Sequence, residues 1–145
     1  MRVTKQQAAE ANLDAAISAF LLGDWVPAIH LAGAAEEVFG RLEEAKGGKT
    51  VPDFFWGKTD FKDLVVKRKD YISALNHYRD WIKHHNADDP IEIEIQEPHA
   101  VISVMRACIA QGTYTQQGRP SVAQFLHWYK ENIERINRII ENWPD

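Results

Sequence analysis

The chain holds 145 residues, with 17 Lys and Arg against 21 Asp and Glu, a net charge of −4. This length suits one domain with a hydrophobic core of its own, and the acid excess excludes a protein that coats nucleic acid non-specifically, which would carry a basic surplus. A lone cysteine, Cys108, excludes an internal disulfide and leaves a cysteine zinc site without ligands.

No apolar run reaches the roughly 18 residues of a membrane span. The opening MRVTKQQAAE turns polar at once and lacks the apolar centre of a secretory leader. A cytoplasmic protein without membrane contact is therefore expected.

Thr4 with Gln7 fits a capping box, after which Leu13, Ile17, Phe20 and Leu21 fall on one helical face. Gly23 ends that helix and Asp24 is placed to cap the next. The second helix is expected from Trp25 to Lys46, with Ile29, Leu31, Ala32, Ala35, Val38, Phe39 and Leu42 inward. Gly33 and Gly40 lie seven apart on it. Glycine weakens a helix, so this spacing points to a neighbour packed very close. Gly47-Gly48 closes the helix. Lys49 to Asp60 is a loop carrying Phe54, Phe55 and Trp56, either a lid over the bundle end or a ligand platform. Asp60 is placed to cap a third helix. It reaches about His85, continuous or broken near Lys67–Asp70, with Tyr71, Leu75, Tyr78 and Ile82 inward.

The run Asn86-Ala87-Asp88-Asp89-Pro90 is a stop signal. Ile91, Ile93 and Ile95 then alternate with Glu92, Glu94 and Gln96, which is strand periodicity. A lone strand is not stable. The segment must pair with the Lys49–Phe55 region, pair with a second copy, or lie extended on the bundle. Glu97-Pro98 opens a fourth helix to about Gln111, with Val101, Val104, Met105 and Ile109 inward and Cys108 as a buried thiol. Gly112 to Pro120 is a polar loop. Ser121 with Gln124 forms a second capping box, and the last helix carries Val122, Phe125, Leu126, Tyr129, Ile133, Ile136 and Ile140. Together these elements predict a single all-α domain over residues 1–145. It is an antiparallel bundle of four to five helices, with one short extended segment near 91–96.

Charge is segregated along the chain. Lys58 to His85 holds seven Lys and Arg against four Asp, and Asn86 to Glu97 holds five acids and no base. The basic stretch carries Arg79, Lys83, His84 and His85. An Arg offers a fork of donors matched to phosphate oxygens, and a His exchanges protons near neutral pH. Together they suffice to cleave RNA without a metal: the His takes the 2′-hydroxyl proton and the Arg stabilises the charge gathering on the phosphate. Arg79 and His84 are five positions apart, about 140° around an ideal helix. They converge where the helix ends or distorts near His84, which the stop signal beyond it allows. No metal or cofactor is expected. The spacings His-Glu-x-x-His and Glu-x-x-His are absent. His84 and His85 are adjacent, so they point apart on a helix. Gly47-Gly48-Lys49-Thr50 lacks the first glycine of a phosphate loop.

The stretch Asn76-His77-Tyr78-Arg79-Asp80-Trp81-Ile82-Lys83-His84 resembles the signature of the HEPN superfamily, the higher eukaryotes and prokaryotes nucleotide-binding domain. That signature is an Arg, a neighbouring Asn, Asp or His, and a His four to six intervening residues after the Arg. Arg79, Asp80 and His84 match it, and His85 also falls within the spacing. The run Ala34-Ala35-Glu36-Glu37-Val38-Phe39-Gly40 resembles the second helix of several bacterial HEPN-like groups. The resemblance implies a homodimer of helical bundles, with Arg and His of both chains lining a shared cleft. It implies a metal-independent endoribonuclease with a toxin, defence or RNA-processing role. Arg79 would stabilise the phosphate, His84 would serve as general base or acid, and Asp80 would orient its neighbours. Asn76, Lys83 and His85 would bind substrate, and Glu36 or Glu37 would approach from the second helix. The implied partners are a second copy, RNA, and a nucleotidyltransferase or an antitoxin. The alternative is a non-catalytic HEPN-like module for dimerisation, or for binding a nucleotide or a partner protein. A purely structural bundle is the third reading. The acidic 86–97 segment beside the cleft opposes RNA.

Overall fold

The computed structural model describes the backbone of residues 1–53 and 68–142, and the side chains of residues 1–53 and 76–142. Five helices are α1 (Lys5–Leu21), α2 (Trp25–Ala45), α3 (Arg68–Lys83), α4 (Glu97–Thr115) and α5 (Pro120–Glu141). Residues 51–53 are also helical. The aromatic cluster Phe54–Trp56, the Asp60 cap and the inward roles of Tyr71 and Leu75 lie outside the described residues.

The first hairpin follows its local signals. Thr4 Oγ1 accepts from the Gln7 N–H, and Gln7 Oε1 accepts from the Thr4 N–H, so both free donors are satisfied. Gly23 turns the chain with a φ of 81°, a left-handed conformation that glycine takes without steric cost. Asp24 occupies the N-cap position of α2, but its side chain makes no cap hydrogen bond.

The second hairpin departs from expectation at both of its inner ends. Gly112 does not stop α4. The buried Gln111 amide donates to Thr115 Oγ1 and to the Gln117 carbonyl, both at 2.8 Å, and stitches on another turn. Gln116 then ends the helix at a φ of 53°. The capping box at Ser121 does not form. Pro120 already begins α5, and the Ser121 hydroxyl donates to Asp14 instead.

The core is built from Leu13, Ile17 and Phe20 of α1, Ile29 and Phe39 of α2, Val101 and Val104 of α4, and Phe125 and Ile136 of α5. Fully burying each such side chain is worth about 1.5–3 kcal/mol. Ala9, Ala16, Ala28, Ala32, Ala35, Ala100 and Ala107 are fully buried between them, which lets the backbones approach closely. Phe20 meets Phe125 and Trp128 edge-on. Tyr78 and Ile82 of α3 pack on this core as expected. Leu126 and Ile140 do not; both are exposed on α5.

Short connectors make α1–α2 and α4–α5 antiparallel hairpins, the latter closed at its far end by Arg135 and Glu97. Across the hairpins the direction is shared. Glu36 meets Arg106 and Phe39 meets Tyr114, so α2 and α4 run the same way. Asp14 meets Arg119 and Phe20 meets Trp128, so α1 and α5 do too. The long connection from 46 to 96, which carries α3, is what permits this.

Among the described residues no strand forms. Ile91 is 89% exposed while Ile95 packs on the core. Within the chain the alternating segment lies extended along the bundle and, among the described residues, pairs with no other strand. Trp81 Nε1 donates to the Pro90 carbonyl at 2.8 Å and pins its start to the end of α3.

Candidate functional site

Three helices and the 50–53 stretch enclose a cavity of about 420 Å³. Glu36, Glu37, Gly40, Arg41 and Glu44 of α2 form one wall. Among the described residues, Asn76 and Arg79 of α3, Arg106 of α4, and Thr50, Val51, Pro52 and Asp53 line the rest.

Arg106 and Glu36 are both buried, and Arg106 is held by two donors on one oxygen. Nε and Nη2 reach Glu36 Oε1 at 3.2 and 2.8 Å. Nη2 also donates to Asn76 Oδ1 at 3.0 Å. One guanidinium thereby joins α2, α3 and α4. A buried pair of this kind adds little net stability over an apolar pair of the same size, but losing one partner is costly.

Arg79 lies across α2 at Gly33. A methyl group on Gly33 would overlap its Cγ and Cδ, so the close approach expected from the glycine spacing is made here by a side chain of α3. Gly40 does not serve a neighbouring helix in the same way; its open side meets Thr50. Arg79 Nε donates to Asp80 Oδ1 at 3.3 Å. Among the described residues its two terminal NH2 groups have no partner, and its side chain remains 22% exposed.

The residues singled out in the sequence divide into two groups. Arg79 and Asn76 line the cavity together with Glu36 and Glu37. Asp80 sits beside Arg79 but is not part of the wall. Lys83 pairs with Glu37 at 3.6 Å. His84 and His85 are exposed beyond the last turn of α3, outside the cavity, with the His84 N–H bonded to the Asp80 carbonyl at 2.9 Å. Within one chain Arg79 and His84 therefore do not share a wall.

Sequence reading missed Arg106. The signal was available: a charge in the apolar run from Val104 to Cys108 must find a buried partner, and Glu36 stands among Ala35, Val38 and Phe39 on α2.

A second cluster lies on the other side of α3. The Tyr78 and His99 rings stack at 3.8 Å, with His77 edge-on to Tyr78. His99 Nδ1 accepts from the Gln96 N–H at 2.9 Å and so caps α4. Burial, which disfavours the charged ring, holds His99 below the ordinary histidine range; Glu94 opposes this and His77 adds to it. Between α4 and α5, Met105, Cys108, Ile109, Val122 and Leu126 line an apolar groove of about 400 Å³. Burial pushes the Cys108 thiol up to about 12.

Among the described residues, no group of three or more His, Cys, Asp or Glu side chains is placed to hold a metal ion. No described helix is long and apolar enough to cross a membrane. No protein-family model, curated protein or solved structure matches the chain.

Proposed function

We propose that the chain is an HEPN-like domain that cleaves RNA without a metal, using Arg79 on the phosphate and His84 as the proton carrier. The observation that supports this is the state of Arg79. Its arm is fixed against Gly33, and its terminal NH2 groups, without partners among the described residues, border an open cavity. A guanidinium held this way is a ready phosphate fork. His84 and His85 stand exposed at the same helix end. In this reading a second copy brings its α3 end against the first, so that the His84 imidazole of one chain serves the Arg79 of the other. The 2′-hydroxyl then attacks phosphorus, losing its proton to a base. The 5′-oxygen leaves with a proton, giving a 2′,3′-cyclic phosphate and a 5′-hydroxyl. Asn76 and Lys83 border the path, and Asp80 orients Arg79.

The test is incubation with mixed RNA in EDTA. Cleavage that survives EDTA and disappears in Arg79→Ala and His84→Ala supports the reading; no cleavage by the native chain under any condition ends it. Mass in solution tests the shared cleft, which a strict monomer at micromolar concentration removes.

A second reading has its own observation. Glu36, Glu37, Glu44 and Asp53 all border the cavity, an acidity that suits a small ligand better than a long polyanion. On this reading the chain is a non-catalytic module for a nucleotide or a partner protein. A partner nucleotidyltransferase or antitoxin belongs to either reading, and co-purification from the native host would identify it.

A further inference from the structure

We infer that Glu36 recognises a ribose 2′-hydroxyl, and that the cavity takes a ribonucleotide whose phosphate rests on Arg79. This rests on the phosphate role of Arg79 proposed above.

Glu37 faces Lys83, Glu44 faces Arg41 at 3.3 Å, and Asp53 Oδ2 accepts from Thr50 Oγ1 at 2.8 Å. Glu36 differs in being buried. Arg106 Nε and Nη2 both donate to its Oε1, and among the described residues nothing donates to Oε2. Yet the side chain is only 9% exposed. An acceptor in such a place asks for a donor. It is not sealed off, either. The buried side-chain oxygen that lacks both a hydrogen bond and solvent among the described residues is Glu43 Oε2, not Glu36 Oε2, so the latter opens to the cavity that Glu36 lines.

The position of Arg79 follows from helix geometry. Its arm crosses α2 at Gly33, and residue 36 is the i+3 neighbour of residue 33, about 5–6 Å away on the same face. The cavity therefore offers a fork of free donors close to one free acceptor. The complement is an oxyanion with a hydroxyl on the adjacent carbon. A ribose 3′-phosphate has this arrangement; a deoxyribose 3′-phosphate and free phosphate lack the hydroxyl. Arg106, behind Glu36, offsets the repulsion that a bare carboxylate would exert on the phosphate. A volume of about 420 Å³ is within the range of small-molecule sites.

The test is calorimetric titration of the intact chain with adenosine 3′-monophosphate, 2′-deoxyadenosine 3′-monophosphate and inorganic phosphate. The expected result is that the ribonucleotide binds about tenfold or more tightly than the deoxynucleotide, matching a lost hydrogen bond to a charged group. Glu36→Gln should narrow that gap several-fold, and because it removes a negative charge beside the phosphate it should not weaken binding of inorganic phosphate. Arg79→Gln should weaken all three ligands. If Glu36→Gln does not fold, the pair Glu36→Leu with Arg106→Met removes the acceptor without stranding a buried charge, and should also close the gap. Equal affinity for the two nucleotides, or no binding of either at millimolar concentration, overturns the inference. RNA cleavage without ribose preference in the titration would overturn it and leave the nuclease reading standing. Ribose preference that Glu36→Gln abolishes, in a chain that cleaves no RNA, would do the reverse.

Discussion

Gly33 shows what one absent methyl group does. Its open side holds the arm of Arg79. Gly33→Ala gains about 1 kcal/mol of helix propensity, while the overlap with Arg79 costs about 1–3 kcal/mol unless the arm moves away. We expect a net loss in stability of at most about 2 kcal/mol in urea unfolding, together with phosphate affinity as weak as that of Arg79→Gln. The polar groups themselves would be untouched. Glu36 is the opposite case. Glu36→Ala leaves the Arg106 guanidinium buried without its carboxylate, a change that costs about 3–5 kcal/mol. Adding Arg106→Met should recover much of that loss, and urea midpoints of the two variants would show it. A recovery of nothing would mean that the pair does not carry the cost.

Among elements, α1 was the most legible, because each of its signals is local. Thr4, Gln7 and Gly23 act on atoms within a few residues of themselves. The end of α4 and the start of α5 were misread for one reason. Gln111 and Ser121 are engaged by the next loop and by α1, respectively, and such partners leave no mark on sequence spacing. The alternation at 91–95 forms no strand among the described residues of one chain; Ile95 docks on the core while Ile91 does not. The His99 cap gives α4 a pH dependence. Unfolded, histidine titrates near 6.5, and in the fold its value is lowered by burial. Stability from the neutral ring is therefore complete above about pH 6.5 and is lost as pH falls through the lower folded value. Protonation would put a hydrogen on Nδ1, where the Gln96 N–H now points. Among the described residues, Tyr78, His77 and Glu94 face the ring. His99→Gln keeps an acceptor and does not titrate, so its unfolding free energy should change less between about pH 7 and 5 than that of the native chain. Equal slopes would remove His99 as the cause.

For the molecule as a whole, helix content and the apolar stripes were legible, since periodicity reports which face is buried. The shared direction of α2 and α4 was not, because a short connector orients only the helices it joins. The candidate site followed the same rule. The stretch Asn76–Lys83 stood out by its residue types. The cavity, however, is assembled from partners far apart in the chain, Glu36 and Arg106 among them. Arg119 adds another such link, binding Asp14 and Glu10 of α1. Burial raises the Asp14 carboxyl, but the hydrogen bonds from Arg119 and Ser121 outweigh it and hold the group below its usual value.

Cys108 gives this assembly a clock. Cys108 is 5% exposed within α4 and stays a thiol at neutral pH, and alkylating reagents attack thiolates. Labelling by iodoacetamide should thus proceed through transient separation of the α4–α5 hairpin, orders of magnitude more slowly than in urea. The labelling rate in any variant above would time how often that hairpin opens, without a dye or an added probe. Labelling as fast in the native chain as in urea would show that the hairpin does not protect the thiol.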